Sequence, residues 1–370
     1  MTSSLDLLYS ETEEELRATV RALLADRCAP AALLGRIESG DPYDPALWST
    51  LASGIGAAGL LVPEKLGGQG AGHREVAVVL EELGRAVAPV PYLTSSVLAT
   101  AILLDCDCQH PAVAGLLAEL AAGTRVCVPV LPLTLGPGAQ PAVLVRDAGD
   151  GTLTGTVTAV ADAAAADVLL VLAESGLYAV PAAAARIRAQ VPLDLTRPLA
   201  SVTLEGARGT RLADPATARA ALAGALLSGA GLLASEQLGL AQWCLEETVA
   251  HVRTRHQFNR PIGSFQALKH RLAALWLDVA SARAAARAAA DALATSAPDA
   301  PLAVAVAQAY CSGVAVRAAE ECVQLHGGIG MTWEHPAHLY LKRAKADSLA
   351  LGTAGHHRAL VADFAELPAP

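Results

Sequence analysis

Arg253-Thr-Arg-His-Gln-Phe-Asn-Arg-Pro-Ile-Gly-Ser-Phe-Gln-Ala-Leu-Lys-His-Arg271 breaks one long helical stretch and starts another. Pro261 and Gly263 supply the turn. The chain has three phenylalanines, and two of them, Phe258 and Phe265, fall inside this segment. Scarce aromatics beside Arg253, Arg255 and Arg260 at a helix end suit the docking of a planar or phosphorylated ligand. An interhelical turn with solvated arginines fits the same composition.

The surrounding sequence fixes the architecture. Ala216–Arg253, Ser264–Leu293, Ala300–Leu325 and Glu334–Phe364 are long Ala- and Leu-rich segments with short connections, the pattern of an antiparallel four-helix bundle. Between the third and fourth lies Glu320-Glu-Cys-Val-Gln-Leu-His-Gly-Gly-Ile-Gly-Met-Thr-Trp-Glu-His-Pro336. Its glycines end a helix and follow no strand, so they are a cap and turn rather than a dinucleotide fingerprint. Upstream, from Arg125 to about Leu212, short runs of Val, Leu and Thr alternate with Gly, Pro and Asp. They predict strands over Cys127–Leu133, Ala142–Val145, Thr152–Val160, Val168–Ala173, Leu177–Val180 and Ala200–Leu204. Further upstream, helices are expected over Glu11–Ala29, entered through a Ser10-Glu-Thr-Glu capping pattern, and over Pro45–Ala58, Arg74–Ala88, Ser95–Leu104 and Pro111–Ala122. The expected fold class is multi-domain α+β. An all-helical domain spans residues 1–122, a small middle β domain 123–214, and a C-terminal four-helix bundle 215–370.

Composition narrows the function. The 370 residues are 53% hydrophobic and 17% charged, which excludes general disorder. A net charge of −9 with no long Lys/Arg run excludes a general nucleic-acid binder. Mean hydropathy is +0.39, yet the longest uncharged stretch of the first half, Val126–Val145, carries four prolines, which a bilayer helix does not tolerate. The N-terminus lacks a basic region followed by an apolar core, so a cytoplasmic protein without membrane association is expected. Seven cysteines are scattered, with no paired zinc spacing. His335, His338, His356 and His357 read as surface or interface histidines, and no metal site is expected.

Taken together and in this order, the arginine segment and the Gln324-x-x-Gly327-Gly328 segment resemble the acyl-CoA dehydrogenase family. Gly59-Leu-Leu-Val-Pro-Glu-Lys-Leu-Gly-Gly-Gln-Gly70, Glu81-Glu-Leu-Gly-Arg-Ala-Val-Ala-Pro-Val-Pro91 and Ser235-Glu-Gln-Leu-Gly-Leu-Ala-Gln242 extend the resemblance over nearly the whole chain. It implies FAD as cofactor, seated between subunits, and an acyl-CoA thioester as substrate. It also implies that Arg255 pairs with the pyrophosphate of a neighbouring chain's FAD, a role guanidinium geometry suits. Gln257 and Phe258 would flank Arg255, with Phe265 and Gln266 on the adenine side. Gln324, Gly327 and Gly328 would line the far wall, and Thr353 completes the implied cofactor-binding set. Asn259 stands where the family has Gly, at a turn position that tolerates positive φ.

The departures bear on catalysis. The family's reaction takes a proton from Cα onto a carboxylate while hydride leaves Cβ. The usual Glu-Gly-Thr position of that base reads Leu351-Gly-Thr353 here, and the alternative position falls on Gly229. Neither side chain takes a proton, so no catalytic residue is assigned. The middle domain's flavin-contacting segment matches Val128-Pro-Val-Leu-Pro-Leu-Thr-Leu-Gly-Pro-Gly138, which has no acid and no Ser-Asp. The sequence therefore resembles the base-lacking subunit of actinobacterial heterotetrameric (α2β2) acyl-CoA dehydrogenases. Its partner would be a homologous chain carrying the catalytic Glu. Two other readings stay open: a self-sufficient dehydrogenase using Glu236 or Asp347 as base, and a flavin-free scaffold.

Overall fold

The computed structural model describes residues 7–40 and 42–367. Six helices lead: α1 (Glu11–Arg27), α2 (Pro30–Glu38), α3 (Pro45–Ser49), α4 (His73–Ala86), α5 (Thr100–Leu104) and α6 (Pro111–Ala121). α1 opens on the reciprocal cap that its sequence announces. The Ser10 hydroxyl accepts from Glu13 N at 3.2 Å, and the Glu13 carboxylate accepts from Ser10 N at 2.6 Å. α2 has no counterpart among the expected helices. Pro30 at its first position both ends the run from α1 and starts the new helix.

Eight strands form one sheet: β1 (Cys127–Pro129), β2 (Val145–Asp147), β3 (Thr152–Ala161), β4 (Val168–Ala173), β5 (Gly176–Pro181), β6 (Arg186–Gln190), β7 (Leu199–Arg208) and β8 (Thr210–Ala213). The order is β6-β7-β3-β2-β4-β5-β8, and β1 adds to β4 in parallel. The long β3–β7 ladder runs from Thr152↔Arg208 to Ala161↔Leu199 with two irregularities. β1 stops at Pro129, well short of the strand expected to Leu133. Val130 N still reaches Leu170 O at 2.9 Å, but the chain then leaves the sheet. β6 is almost wholly exposed, so it lacks the buried alternation that betrays a strand.

The C-terminal unit holds α7 (Pro215–Thr254), a short hairpin of β9 (His256–Gln257) and β10 (Arg260–Pro261), then α8 (Gln266–Ala294), α9 (Ala300–His326), α10 (Ala337–Asp347) and α11 (Ala354–Phe364). The fourth expected helix, Glu334–Phe364, is thus two helices. The break comes where Leu351 (φ 51°) and Gly352 (φ 97°) turn left-handed and Leu351 N donates to Leu133 O at 2.8 Å. α7 and α9 are long and apolar enough, by length and composition, to cross a bilayer. Both carry long series of buried residues that belong to the protein core.

Two glycines set how closely α4 and α7 pack. A Cβ on Gly84 would stand 2.1 Å from Glu236 O, and one on Gly239 would stand 1.9 Å from Glu81 O. The Glu-Glu-Leu-Gly84 and Glu-Gln-Leu-Gly239 runs are the two sides of one backbone-to-backbone crossing. This crossing brings the N-terminal helices onto Glu236, where the three parts of the chain meet.

Candidate functional site

Leu351 and Gly229 lie against each other. A Cβ built on Gly229 falls 3.2 Å from Leu351 Cδ1 and 2.4 Å from Leu98 Cδ2. Leu351 is 2% exposed. The segment after β1 closes over it as a strap. Leu133 O accepts from Leu351 N, Gly136 sits against Gly352 and His356, and His356 Nε2 donates to Pro137 O at 2.8 Å. What remains is a void of about 20 Å³ whose lining includes Thr94, Leu98, Leu131, Leu133, Leu226 and Leu351. No proton acceptor faces Leu351 from this lining, and neither a flavin ring nor a thioester fits such a volume.

The two carboxylates left open as bases are engaged in a buried ion network. Glu236 accepts from Arg197 Nη2 at 2.7 Å on both oxygens and from Arg343 Nη1 at 2.6 Å. Burial opposes its charge, but the two guanidinium groups outweigh burial and hold its pKa below the usual carboxylate range. Asp347 accepts from Arg197 Nη1. Arg343 Nη2 donates to Thr196 Oγ1 at 2.7 Å, and its Nε lies 2.5 Å from Asp194 Oδ2 as an ion pair without hydrogen-bond alignment. Thr94 Oγ1 donates to Asp162 Oδ2 at 2.7 Å, so the N-terminal helices join the same region. The network ties the β6–β7 connection to α7 and α10. A base must be reachable by substrate, and Glu236 and Asp347 are 2% and 0% exposed.

Asp347 carries the weak side of this network. Burial, then the nearby charge of Glu236, raises its pKa, and its Oδ2 has no hydrogen-bond partner. An acid whose folded pKa is raised costs stability as pH climbs from the unfolded value toward the folded one. Asp347→Asn is therefore expected to gain stability relative to the unmodified chain as pH rises from about 4 to neutrality. Thermal melts across that range test this. Parallel curves at every pH would show that Asp347 does not titrate as argued.

The other predicted residues gather at one end of the helical unit. Phe258 (φ 52°) and Asn259 (φ 58°) form the two-residue turn between β9 and β10, both left-handed as a tight hairpin of this type requires. Phe258 is 86% exposed. Phe265 packs edge-on to Phe258 at 6.0 Å, and the Arg260 guanidinium lies 4.0 Å over the Phe265 ring. Among the described residues, Arg253 and Arg255 make no ion pair. Arg255, Gln257, Gln266 and Gln324 are exposed. Gly327 and Gly328 face open space, since a Cβ on either meets nothing within 4 Å. The His251 and His326 rings, 4.2 Å apart, bring the two glycine- and arginine-bearing segments side by side. Thr353 stands elsewhere, at the α10–α11 break, where its hydroxyl accepts from His356 N at 3.2 Å and caps α11.

Sequence reasoning missed Arg197, Arg343 and Asp194, because burial of a charged side chain leaves no periodic signal. It also missed the strap, whose Leu133 meets a partner in the distant α10–α11 break.

The chain matches two family descriptions, acyl-CoA dehydrogenase N-terminal domain over residues 10–107 and acyl-CoA dehydrogenase C-terminal domain over residues 219–365. It is 38% identical to the acyl-CoA dehydrogenase IpdE2 of Mycolicibacterium smegmatis, over 93% of this chain and 95% of that one. Among solved structures it resembles the ChsE4–ChsE5 complex of Mycobacterium tuberculosis, with 30% identity, a TM-score of 0.85, and coverage of 98% and 100% of the two chains. It also resembles a variant of the Tcur3481–Tcur3483 steroid ACAD, with 30% identity, a TM-score of 0.84, and coverage of 96% and 98%. A helical domain, a middle β-sheet and a C-terminal helical domain, with an FAD-dependent oxidoreductase chemistry attached to them, define a flavoprotein dehydrogenase class. The chain belongs to the acyl-CoA dehydrogenase family. FAD is that family's cofactor. The residues present fit it unequally: the open glycines and free guanidinium groups at the bundle end suit its pyrophosphate half, while the strapped cleft at Leu351 has no room for its ring.

Proposed function

We propose that this chain is the non-catalytic subunit of a heteromeric acyl-CoA dehydrogenase, completing the FAD site of a homologous partner that carries the catalytic Glu. The observation that carries the reading is the closed cleft. Both family base positions are apolar, packed together and sealed by Val130–Gly138. In the assembled enzyme, bound FAD would supply the hydride acceptor for the α,β-dehydrogenation of an acyl-CoA thioester of lipid or steroid catabolism. This chain's contribution is to hold: Arg255 pairs with pyrophosphate, Phe258 and Phe265 cover a planar face, and Gly327 and Gly328 let the ligand approach the backbone. Large apolar side chains left uncovered on the same unit support a partner there. Trp276 and Leu277 on α8, Tyr310 on α9, and Met331 and Trp333 beyond it are exposed. The two similar complexes, ChsE4–ChsE5 and Tcur3481–Tcur3483, favour a homologous partner, and an α2β2 assembly is the stoichiometry proposed.

The chain purified alone is expected to be nearly colourless and without turnover on acyl-CoA thioesters. Co-expression with a carboxylate-bearing homologue should yield a yellow, active complex. Visible absorption and an artificial-acceptor assay read both. Leu351→Glu in the lone chain should not create activity, because a base works only with flavin and thioester held opposite it. A carboxyl group there would instead be buried among Leu98, Leu133 and Leu226, which destabilises it. Stoichiometric FAD and turnover in the unmodified lone chain would overturn the proposal.

A further inference from the structure

We propose that His326, His335 and Glu247 form a binding site for one divalent transition-metal ion of the zinc class. The three come from α9, the turn before α10, and α7. One ligand atom from each lies within 4.8 Å of the other two. His335 Nε2 is 3.7 Å from Glu247 Oε1. A tetrahedral ion with ligands at about 2.1 Å spaces them about 3.4 Å apart, so the cluster needs to close by at most about 1.4 Å. Glu247 has the freedom to close it, since its side chain is 40% exposed.

The independent sign of a ligand is the orphaned nitrogen of His326. This residue is 6% exposed, and its Nδ1–H donates to Cys322 O at 2.7 Å. That bond fixes the tautomer and leaves Nε2 with a bare lone pair, buried and without a hydrogen-bond partner among the described residues. A backbone carbonyl orienting the far nitrogen is the arrangement that metal-ligating histidines use. An unpaired buried acceptor is otherwise a net cost. The His335 ring lies 4.2 Å from that of His326. Its Nδ1 now accepts from Ala337 N at 3.2 Å. An ion on Nε2 shifts the ring proton to Nδ1 and gives up the bond from the buried Ala337 N–H, a cost that the ion's own bonds must exceed. Burial, with the neighbouring His326 ring, lowers the pKa of His335. The donor set of two imidazoles and a carboxylate, with a fourth position open to water, matches zinc-class ions. The bound ion would tie the Gly327–Met331 turn to α7.

The test uses the full-length chain stripped with a chelator and titrated with Co²⁺. Saturation at one ion per chain with a tetrahedral visible spectrum is expected, followed by displacement by one equivalent of Zn²⁺ and a raised melting temperature. His326→Gln and His335→Gln should each weaken binding by more than about a hundredfold, beyond what loss of a mere supporting hydrogen bond costs. Glu247→Gln, at a half-exposed position, gives a variant whose fold is not at risk, and it should weaken binding as well. His270→Gln, an exposed histidine elsewhere, should leave binding unchanged. Absence of saturable binding, or binding that survives His326→Gln in a folded chain, would show that the three groups are only a hydrogen-bonded cluster. This site stands apart from the assignment of the chain as a non-catalytic subunit, and either can fail alone.

Discussion

Arg343→Met is expected to destabilise the protein by about 3–5 kcal/mol, the usual result of removing one partner from a buried ion network. The Arg343 guanidinium meets Glu236 at 2.6 Å, Asp194 at 2.5 Å and Thr196 at 2.7 Å, all buried. Methionine fills much of the same volume but leaves Glu236, Asp194 and Asp347 facing Arg197 alone. At about 2 °C per kcal/mol, the low end appropriate to a long chain, the melting temperature should fall by roughly 6–10 °C. The sign with pH follows from the carboxylates. Glu236 has its pKa depressed in the folded chain, so its contribution is fully present above the ordinary carboxylate range and is lost as pH falls below that range, through the depressed folded value. The deficit of Arg343→Met should accordingly be largest at neutral pH and shrink as pH falls below about 4. Adding Glu236→Gln should recover part of the loss, because the uncompensated charge goes with it. A single variant that melts within about a degree of the unmodified protein would mean that the network does not hold the three parts together.

That network marks the boundary of what the sequence makes legible. The helical and β segments were readable because their signals are local: the Ser10–Glu13 cap, Pro215 opening α7, and the Val and Leu runs of β4 and β5. The bundle-end segments stood out as well, since Arg255, Phe258 and Gly327 sit in short motifs with distinctive spacing, and the structure places those segments side by side. Leu351 was legible as a missing base but not as a helix break. A left-handed leucine is rare, and only the strap from Leu133 explains why the chain bends there. The strap itself is a Pro- and Gly-rich run without periodicity, so its burial could not be seen. Glu236 and Asp347 looked like spare carboxylates because the sequence does not reveal that Arg197 and Arg343 converge on them. The same holds for His326, His335 and Glu247, which three separate elements bring together.

Arg255→Ala should impair FAD retention in the assembled enzyme although this chain supplies no base. Under the proposed arrangement the side chain reaches the pyrophosphate of the partner's flavin. A charge-assisted hydrogen bond of that kind contributes about 1.5–3 kcal/mol, or about ten- to a hundredfold in affinity. The structure supplies the preconditions. Arg255 is exposed, makes no ion pair among the described residues, and stands beside the hairpin turn that carries Phe258. No internal partner has to be given up for a ligand to be gained. Arg255→Lys keeps the charge but loses the bidentate fork, so it should fall between the two. Arg186→Ala, an exposed arginine on β6 paired with Glu205 at 2.7 Å, removes the same charge elsewhere and should leave FAD binding unaltered. Flavin fluorescence during titration of the apo complex measures all three. Salt separates a direct contact from a general loss of fold: the affinity of the unmodified complex should fall with ionic strength, and that of Arg255→Ala should fall less. If Arg255→Ala binds FAD as tightly as the unmodified complex, the cross-subunit contact does not exist and the chain acts on its partner through packing alone.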